Sequence, residues 1–293
     1  MDAPNKECNE AHTTGTFSYM KWNNELYETE SPFQILIEIP KDAPDQRTTN
    51  VEFETGPPET IADVRATLDS WSLDQHGFKY FPMNIGLSAK KFSDQAFVKE
   101  KYLPQCASLI KKALPGAERV HFFGWRLRSS GDGLSPGSAL VGKFQKPASV
   151  PHVDQTPGAV YDLVSERFPN EAARLFRGRV RTIIVWRPLT GPVGDWPLAV
   201  AEASTVPPSC LVECQRIRPK YRGDVFYMLP QEGVKWHYLS RQRSDEALVM
   251  KIFDNKEGVA GYCAHASFKL PDAPHDPRPR ESIEVRAMVF GGE

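Results

Sequence analysis

Short apolar runs separated by proline, glycine and aspartate recur along the chain after residue 115. Runs of this length and composition predict β-strands, and they read RVHFFGWRLRS, RVRTIIVWRPL, WPLAVAEAST, DVFYMLP, KWHYLS, EALVMKIFD and SIEVRAMVF. Many short strands with few crossover helices favour a sandwich or a jelly roll over a doubly wound parallel sheet. We therefore predict a mainly β fold with flanking helices. A jelly roll has an open mouth, where a small-molecule pocket would lie.

Two segments have apolar residues at helical spacing instead. The first, SDQAFVKEKYLPQCASLIKKAL, offers Ser93 or Asp94 as its N-cap, and the second, AVYDLVSERFPNEAARLF, follows Pro157. We expect each helix to pack one face on a sheet. Residues 1–60 carry one clear strand, FQILIEIP, among polar and proline-rich linkers. They predict an N-terminal extension that packs on the core, with residues 61–293 forming a single domain.

The composition narrows the class of partner. The 293 residues are 40% hydrophobic and 25% charged with a formal net charge of −1, which provides no field for nucleic acid or an anionic membrane. No run reaches eighteen apolar residues and the first residues are too polar for a signal peptide, so we expect a cytoplasmic protein that binds a small molecule. Five cysteines without a C-x-x-C pair indicate reduced thiols rather than a disulfide framework.

The stretch KPASVPHVDQTPGAV contains the first candidate for chemistry. His152 and Asp154 are two residues apart, and residues at that spacing on a strand project from the same face. Two histidines and one carboxylate form the facial triad of non-heme Fe(II) oxygenases. Because a single H-x-D motif is a weak signal, the interpretation depends on a second histidine elsewhere in the chain.

His265 is our preferred third ligand. Arg280 follows it by fifteen residues and begins an Arg-x-Ser sequence with Ser282. A guanidinium and a hydroxyl on one strand face could hold one carboxylate together, as the distal end of 2-oxoglutarate requires. Arg286 extends the same polar face and is a further candidate for binding this co-substrate.

His237, in KWHYLS, is the alternative third ligand, with Lys251 fourteen residues further on as the matching anchor. Spacing alone does not decide between the two histidines. His265 is favoured because an Arg-x-Ser follows it, whereas the lysine after His237 has no such partner. Otherwise His237 would belong to an aromatic cluster on the pocket wall.

Several other residues are candidates for shaping a substrate pocket. They are Gln155, Trp186, Arg187, Trp236, His237, Ala266 and Phe268. Arg126 and Arg128 are interpreted instead as solvated residues of a buried strand, and His121 as a core histidine.

The order of these motifs resembles one family. DSWSLDQHGFKY, PHVDQT, RVRTIIVWRPLTGPVGDWPLA, KWHYLSRQRSDEALVMKIFDN, AHASF and RESIEVRAMVF look like the fungal hydroxylase/desaturase family of secondary metabolism, which is related to a cephalosporin 7-alpha-methoxylase component family. The resemblance runs from about Asp63 to Phe290. The ordered combination is much more specific than any single motif.

The resemblance implies a double-stranded β-helix, a jelly-roll or cupin-like core, that uses Fe(II), O2 and 2-oxoglutarate as co-substrate. It implies His152, Asp154 and His265 as metal ligands, Arg280 as the 2-oxoglutarate anchor, and oxidation of a C–H bond of a small natural product. Hydroxylation, desaturation, cyclisation and endoperoxide formation all fit.

Two other classes of function stay open. The chain could be a catalytically silent accessory or binding subunit of a two-component system. It could also be an S-adenosyl-dependent methyltransferase, for which GDGLSPGSALVG would have to be the glycine-rich loop. The sequence leaves the oligomeric state open between monomer and homodimer.

Overall fold

The computed structural model describes residues 11–86, 89–131, 144–218, 221–273 and 278–292, without the side chains of residues 221 and 222. Cys8, His275 and all but the first residue of GDGLSPGSALVG lie outside the described residues. Within the described ranges, no helix is long and apolar enough to cross a membrane.

The strands are numbered here in chain order. They are β1 (His12–Gly15), β2 (Ser18–Met20), β3 (Phe33–Ile35), β4 (Phe53–Thr55), β5 (Glu59–Asp63), β6 (Phe78–Pro82), β7 (Arg119–Ser129), β8 (Phe144–Gln145), β9 (His152–Val153), β10 (Val180–Pro188), β11 (Leu198–Ala201), β12 (Leu211–Arg218), β13 (Tyr221–Arg222), β14 (Val225–Met228), β15 (Trp236–Tyr238), β16 (Glu246–Asp254), β17 (His265–Ser267) and β18 (Glu281–Phe290).

The α-helices are α1 (Asn24–Tyr27), α2 (Leu73–His76), α3 (Gln95–Phe97), α4 (Leu103–Ala113), α5 (Pro157–Arg167) and α6 (Ala172–Leu175). A π-helical stretch, Val98–Tyr102, joins α3 to α4, and short 3-10 turns occupy Val64–Ala66, Leu68–Ser70, Ala89–Ser93, Ala203–Thr205 and Pro208–Cys210. Asp94 caps α3 by accepting from Ala96 N, and Thr156 caps α5 by accepting from Ala159 N. Pro157 at the start of α5 fits a position where no backbone N–H is needed.

Two large sheets form the body of the protein. The ten-stranded sheet has the order β1-β5-β15-β11-β17-β9-β14-β12-β13, with β3 paired to β12, and the six-stranded sheet has the order β6-β16-β10-β18-β7-β8. One core cluster combines residues of both sheets, among them Ile184 and Met250 of the six-stranded sheet and Val153 and Val200 of the other. This is the packing of a jelly roll, so the predicted fold is confirmed.

The six-stranded sheet is covered on its second face by α4. Ile183, Val185 and Val249 pack there in one cluster with Cys106 and Ile110 of the helix. Since its central strands are buried on both faces, they appear in the sequence as nearly continuous apolar runs, as in Glu246–Asp254.

The strand predicted over FQILIEIP in the N-terminal segment is shorter in the structure. FQILIEIP is extended in β3 only over Phe33–Ile35, where β3 pairs in parallel with residues 215–217 of β12. Leu36 and Ile37 lie beyond this partner and are exposed.

Candidate active site

The two histidines of the predicted metal site are direct cross-strand neighbours. His152 in β9 and His265 in β17 are paired in the antiparallel register, and their ring centroids are 4.4 Å apart. Residues opposite each other on adjacent strands project to the same face. Both side chains are buried, so the sheet alone brings two distant parts of the sequence to one point.

Asp154 completes the group directly after β9. Its Oδ1 lies 3.8 Å from His152 Nε2, and its Oδ2 is buried without a hydrogen-bond partner. Burial by itself would raise the pKa of this carboxyl, but Arg286, His152 and Arg126 together hold it below its usual range. Arg126 Nη1 lies 4.0 Å from Oδ1. The carboxylate is therefore ionised at neutral pH.

Backbone contacts set which ring nitrogen of each histidine is available. His152 Nδ1 lies 2.7 Å from the carbonyl of Val150, and His265 Nδ1 lies 3.1 Å from the carbonyl of Cys263. Because a carbonyl oxygen only accepts, each Nδ1 carries the proton and each Nε2 is left with its lone pair. Burial, with a smaller contribution from His265, lowers the pKa of His152 to about 3, so this imidazole is neutral. Metal-binding histidines commonly have this arrangement.

The donor set fits a divalent iron. It consists of two imidazoles and one ionised carboxylate, and His265 Nε2 and Asp154 Oδ2 are both buried without a hydrogen-bond partner. Over the described ranges, no three His, Cys, Asp or Glu side chains are already grouped at the distances of a formed metal centre. Asp154 instead faces the guanidinium of Arg126. A bound cation would compete with this guanidinium for the carboxylate.

Ser267 connects Arg280 to this group of residues. His265 and Ser267 share one face of β17, and Arg280 Nη1 donates to Ser267 Oγ at 3.0 Å and to the Trp196 carbonyl at 2.6 Å. Its guanidinium also lies 5.5 Å from the centre of the Trp186 ring.

The rest of the Arg280 head group has no partner. Nε and Nη2 are buried without hydrogen bonds, and so is Ser282 Oγ. Burial, and then the nearby Arg128, lower the pKa of Arg280 to about 9, so it is still a cation at neutral pH. A buried cation with open donors is costly unless an anion binds it.

Arg286 lies on the same strand face as Arg280 but further along β18. Its Nε is 3.7 Å from Glu284 Oε1, and Glu284 Oε2 is 3.9 Å from Arg128 Nε. Six residues of strand separate the two arginines, which is about 20 Å along the backbone. Arg286 therefore lies near Asp154, whereas Arg280 lies near Ser267.

His237 does not join His152. It pairs with Val200 of β11, which on its other side pairs with His265, so His237 is two strands, roughly 10 Å, from His265 and three strands from His152. Its ring lies 4.4 Å from that of Trp71 and 5.9 Å from that of Phe78, and its Nε2 is 3.6 Å from Glu202 Oε2.

Lys251, the anchor that a His237 site would need, is already paired. Its Nζ lies 2.6 Å from Asp74 Oδ1 and 2.6 Å from Asp254 Oδ2, and it is fully buried. The alternative combination of His237 with Lys251 is therefore not assembled.

The remaining pocket candidates divide between two faces. Trp186 faces Arg280, whereas Arg187, next to it on β10, points to the other side of the sheet, where its guanidinium lies 5.4 Å and 5.1 Å from the Phe92 and Tyr102 rings. Trp236 packs on Phe17, with ring centroids 4.5 Å apart.

Phe268 also packs on Phe17, at 6.1 Å between ring centroids. Ala266 lies between His265 and Ser267 on β17 and so projects from the opposite face. Gln155, by contrast, lines a cavity together with Asp154.

This cavity of about 500 Å³ opens onto Asp154, and the sequence interpretation missed most of its lining. Arg126, interpreted as solvated, points into it with a side chain only 12% exposed. The signal was present in the alternation of β7, in which Trp125 and Leu127 belong to the cluster under α4 and leave Arg126 and Arg128 on the inner face.

Known proteins are similar to this chain over most of its length. A family model described as an oxidoreductase/YMDC permease-like domain matches residues 17–290. The Fe(II)/2-oxoglutarate-dependent dioxygenase nvfI of Aspergillus novofumigatus is 37% identical over 78% of this chain and 82% of its own length. The hydroxylase/desaturase CTB9 of Cercospora beticola is 32% identical over 78% of this chain and 75% of its own.

A solved structure is also similar. The iron and alpha-ketoglutarate-dependent endoperoxidase NvfI superimposes with a TM-score of 0.82 at 31% identity, covering 96% of this chain and 99% of that one. The names of nvfI and of the endoperoxidase give iron and 2-oxoglutarate as their cofactors, and these, with O2, are the cofactors expected from the sequence. The chain belongs to the family of fungal Fe(II)/2-oxoglutarate-dependent dioxygenases and hydroxylase/desaturases of secondary metabolism.

Proposed function

We propose that this enzyme holds Fe(II) on His152, Asp154 and His265, binds 2-oxoglutarate against Arg280 and Ser282, and oxidises a C–H bond of a small natural product in the cavity beside Asp154. One observation carries the proposal. His152 and His265 are opposite each other in adjacent strands with both Nε2 atoms free of backbone contacts, and Asp154 lies directly beside them.

The iron, once bound with 2-oxoglutarate and O2, supplies the oxidising chemistry. The protein's residues determine where that chemistry occurs. The carbonyls of Val150 and Cys263 hold the two imidazoles in the tautomer that presents Nε2. Arg286, with His152 and Arg126, keeps Asp154 ionised in the absence of metal.

Arg280 would orient 2-oxoglutarate. Ser267 Oγ and the Trp196 carbonyl both accept from Nη1, which leaves Nε and Nη2 to donate to the distal carboxylate, with Ser282 Oγ as a third donor. Trp186 packs against the guanidinium and limits the orientations it can take. The anchor is therefore preorganised before the co-substrate arrives.

The oxidative outcome is set by which atoms of the substrate face the iron. Relatives include an endoperoxidase and a hydroxylase/desaturase by name, so the family supports several products from related active sites. We infer that the residues around the cavity beside Asp154 select among hydroxylation, desaturation, cyclisation and endoperoxide formation in this chain.

The test is succinate release and O2 consumption by the purified protein, with Fe(II) and 2-oxoglutarate added separately and together. We expect turnover only when both are present, increased by an acceptable natural-product substrate. Matched reactions with the His152→Ala variant provide the background. Absence of Fe(II)-dependent and 2-oxoglutarate-dependent turnover across a broad substrate panel would favour an accessory or binding subunit instead.

A further inference from the structure

The lining of the cavity beside Asp154 is rich in positive charge. Five of its lining side chains are arginines, contributed by one helix and three strands: Arg126, Arg167, Arg216, Arg218 and Arg286. Asp154 is the only acidic residue among the described residues that line it. The five arginines belong to β7, α5, β12 and β18, so the fold brings the cations together from separate parts of the chain.

The arginines are close enough to repel one another. Burial, and then Arg126, Arg216 and Arg286, together lower the pKa of Arg218 to about 10, with Asp154 opposing them. Arg216 Nε is buried without a hydrogen-bond partner. Arg126 and Arg286 have side chains only 12% and 16% exposed. Such a cluster costs folding free energy unless an anion offsets the repulsion.

Two carboxylates of the described residues lie against these arginines, Glu284 and Asp154. Glu284 is divided between Arg286 and Arg128, at 3.7 Å and 3.9 Å. Asp154 is the carboxylate that, under the function proposed above, binds the iron. When the metal is bound, Asp154 neutralises part of the metal's charge and has less to offer Arg126, so the cavity becomes more positive.

The lining also contains an apolar part. Phe123, Leu163 and Val225 face the same space, and a volume of about 500 Å³ is that of a site for a drug-sized molecule. A free inorganic anion would leave most of this volume and the apolar wall unused. The planar forks of arginine suit two-point binding of carboxylates.

We propose that the enzyme's substrate is an acidic natural product, an apolar scaffold with at least one carboxylate, and that the arginine cluster binds this carboxylate while the scaffold lies beside Asp154. This inference rests on the proposed function for the position of the iron. The arginines would then select the substrate and fix which C–H bond lies nearest the metal.

The test uses three probes that share one apolar ring system: 2-naphthoate, 2-naphthamide and 2-naphthyl phosphate. Their binding to the full-length protein, loaded with Fe(II) and 2-oxoglutarate without O2, is measured by titration calorimetry. We expect 2-naphthoate to bind about tenfold or more tightly than 2-naphthamide, the factor that one charge-assisted hydrogen bond corresponds to. Added salt should weaken the binding of the naphthoate and leave the binding of the amide nearly unchanged.

Matched variants locate the binding. Arg218→Gln and Arg216→Gln should each reduce the preference for naphthoate over the amide by about fivefold or more. Arg167→Gln, at the exposed end of α5, tests the mouth of the cavity with little risk to folding. Arg177→Gln is the control, because Arg177 is exposed and does not line the cavity.

Each outcome decides the proposal. Equal binding of naphthoate and amide, or a preference that survives all three cavity variants, would overturn it. Tighter binding of the naphthyl phosphate than of the naphthoate would replace the carboxylate with a phosphate ester.

The same titrations separate this proposal from the proposed function. If Arg216→Gln and Arg218→Gln weaken the binding of 2-oxoglutarate instead of that of naphthoate, the cavity is the co-substrate site and the substrate inference is wrong. If iron fails to bind but the metal-free protein retains an arginine-dependent preference for naphthoate, the proposed iron site fails and the proposal of an anion-binding cavity stands.

Discussion

His152 Nδ1 contacts the carbonyl of Val150, the residue two positions before it, and His265 repeats this relationship with Cys263. In both cases the backbone carbonyl accepts the ring proton and Nε2 is left for a metal. The local sequence around each histidine thus fixes its tautomer, and the pairing of β9 with β17 places the two free nitrogens on one face. The repeated contact distinguishes these two histidines from His237, whose ring is enclosed by Trp71 and Phe78.

The third metal ligand can therefore be tested by two substitutions. We expect His265→Ala to lose iron, and His237→Ala to retain it while changing substrate affinity or product distribution. Metal content after anaerobic reconstitution measures the first, and product analysis the second. Retention of iron by His265→Ala together with its loss in His237→Ala would show that His237, and not His265, is the third ligand.

Iron binding should depend on the charge of Asp154 as well as on its shape. Asp154→Asn keeps the volume of the side chain but removes the anion, so we expect iron affinity to fall by at least tenfold and turnover to be lost. Asp162→Asn, on the exposed surface of α5, is the control. The far-UV circular dichroism of both variants should match the wild type. Equal iron occupancy in Asp154→Asn and the wild type would exclude Asp154 as a ligand.

The sequence predicted the central strands well because the six-stranded sheet is buried on both faces. Glu246–Asp254 matches its predicted run residue for residue, and Arg119–Ser129 does the same. The strands of the ten-stranded sheet were harder to find. Its functional strands β9 and β17 are two and three residues long, too short for any periodic signal. His152 and His265 were found through their chemistry rather than through strand patterns.

Apart from Arg286, the arginines of the cavity were missed for a different reason. Alternation places Arg126 and Arg128 on the face opposite Trp125 and Leu127, but a charged face next to an apolar one ordinarily indicates solvent. Only the tertiary structure shows that a second sheet covers this face. Arg216 and Arg218 lie on β12, a strand that the sequence did not predict because only part of it is buried.

Lys251 should be a structural residue. Its ammonium bonds to Asp74 and Asp254, and Arg179 binds Asp254 at 3.0 Å and 2.7 Å. Because Arg179 would still neutralise Asp254, we expect Lys251→Met to lower the free energy of unfolding by about 1.5–3 kcal/mol, the range for a hydrogen bond to a charged group. Denaturant titration measures this change. The Michaelis constant for 2-oxoglutarate should stay the same; an increase of tenfold would restore Lys251 as an anchor.

Arg280 is expected to control 2-oxoglutarate affinity without affecting the metal. Two open guanidinium nitrogens and Ser282 Oγ are available to one carboxylate, and charge-assisted hydrogen bonds contribute about 1.5–3 kcal/mol each. Arg280→Ala should therefore raise the Michaelis constant for 2-oxoglutarate by at least tenfold in a succinate-release assay, while iron occupancy is maintained. Arg280→Lys should recover only part of the loss, because a point charge replaces a planar fork.

Two further variants refine this prediction about the anchor. Ser282→Ala removes one neutral donor, which corresponds to about 1 kcal/mol, so its effect should be several times smaller than that of Arg280→Ala. Arg278→Ala, two residues earlier and exposed, is the charge-matched control and should leave the constant unchanged. If Arg280→Ala and Arg278→Ala give the same Michaelis constant as the wild type, Arg280 is not the anchor, and its open donors must serve another anion.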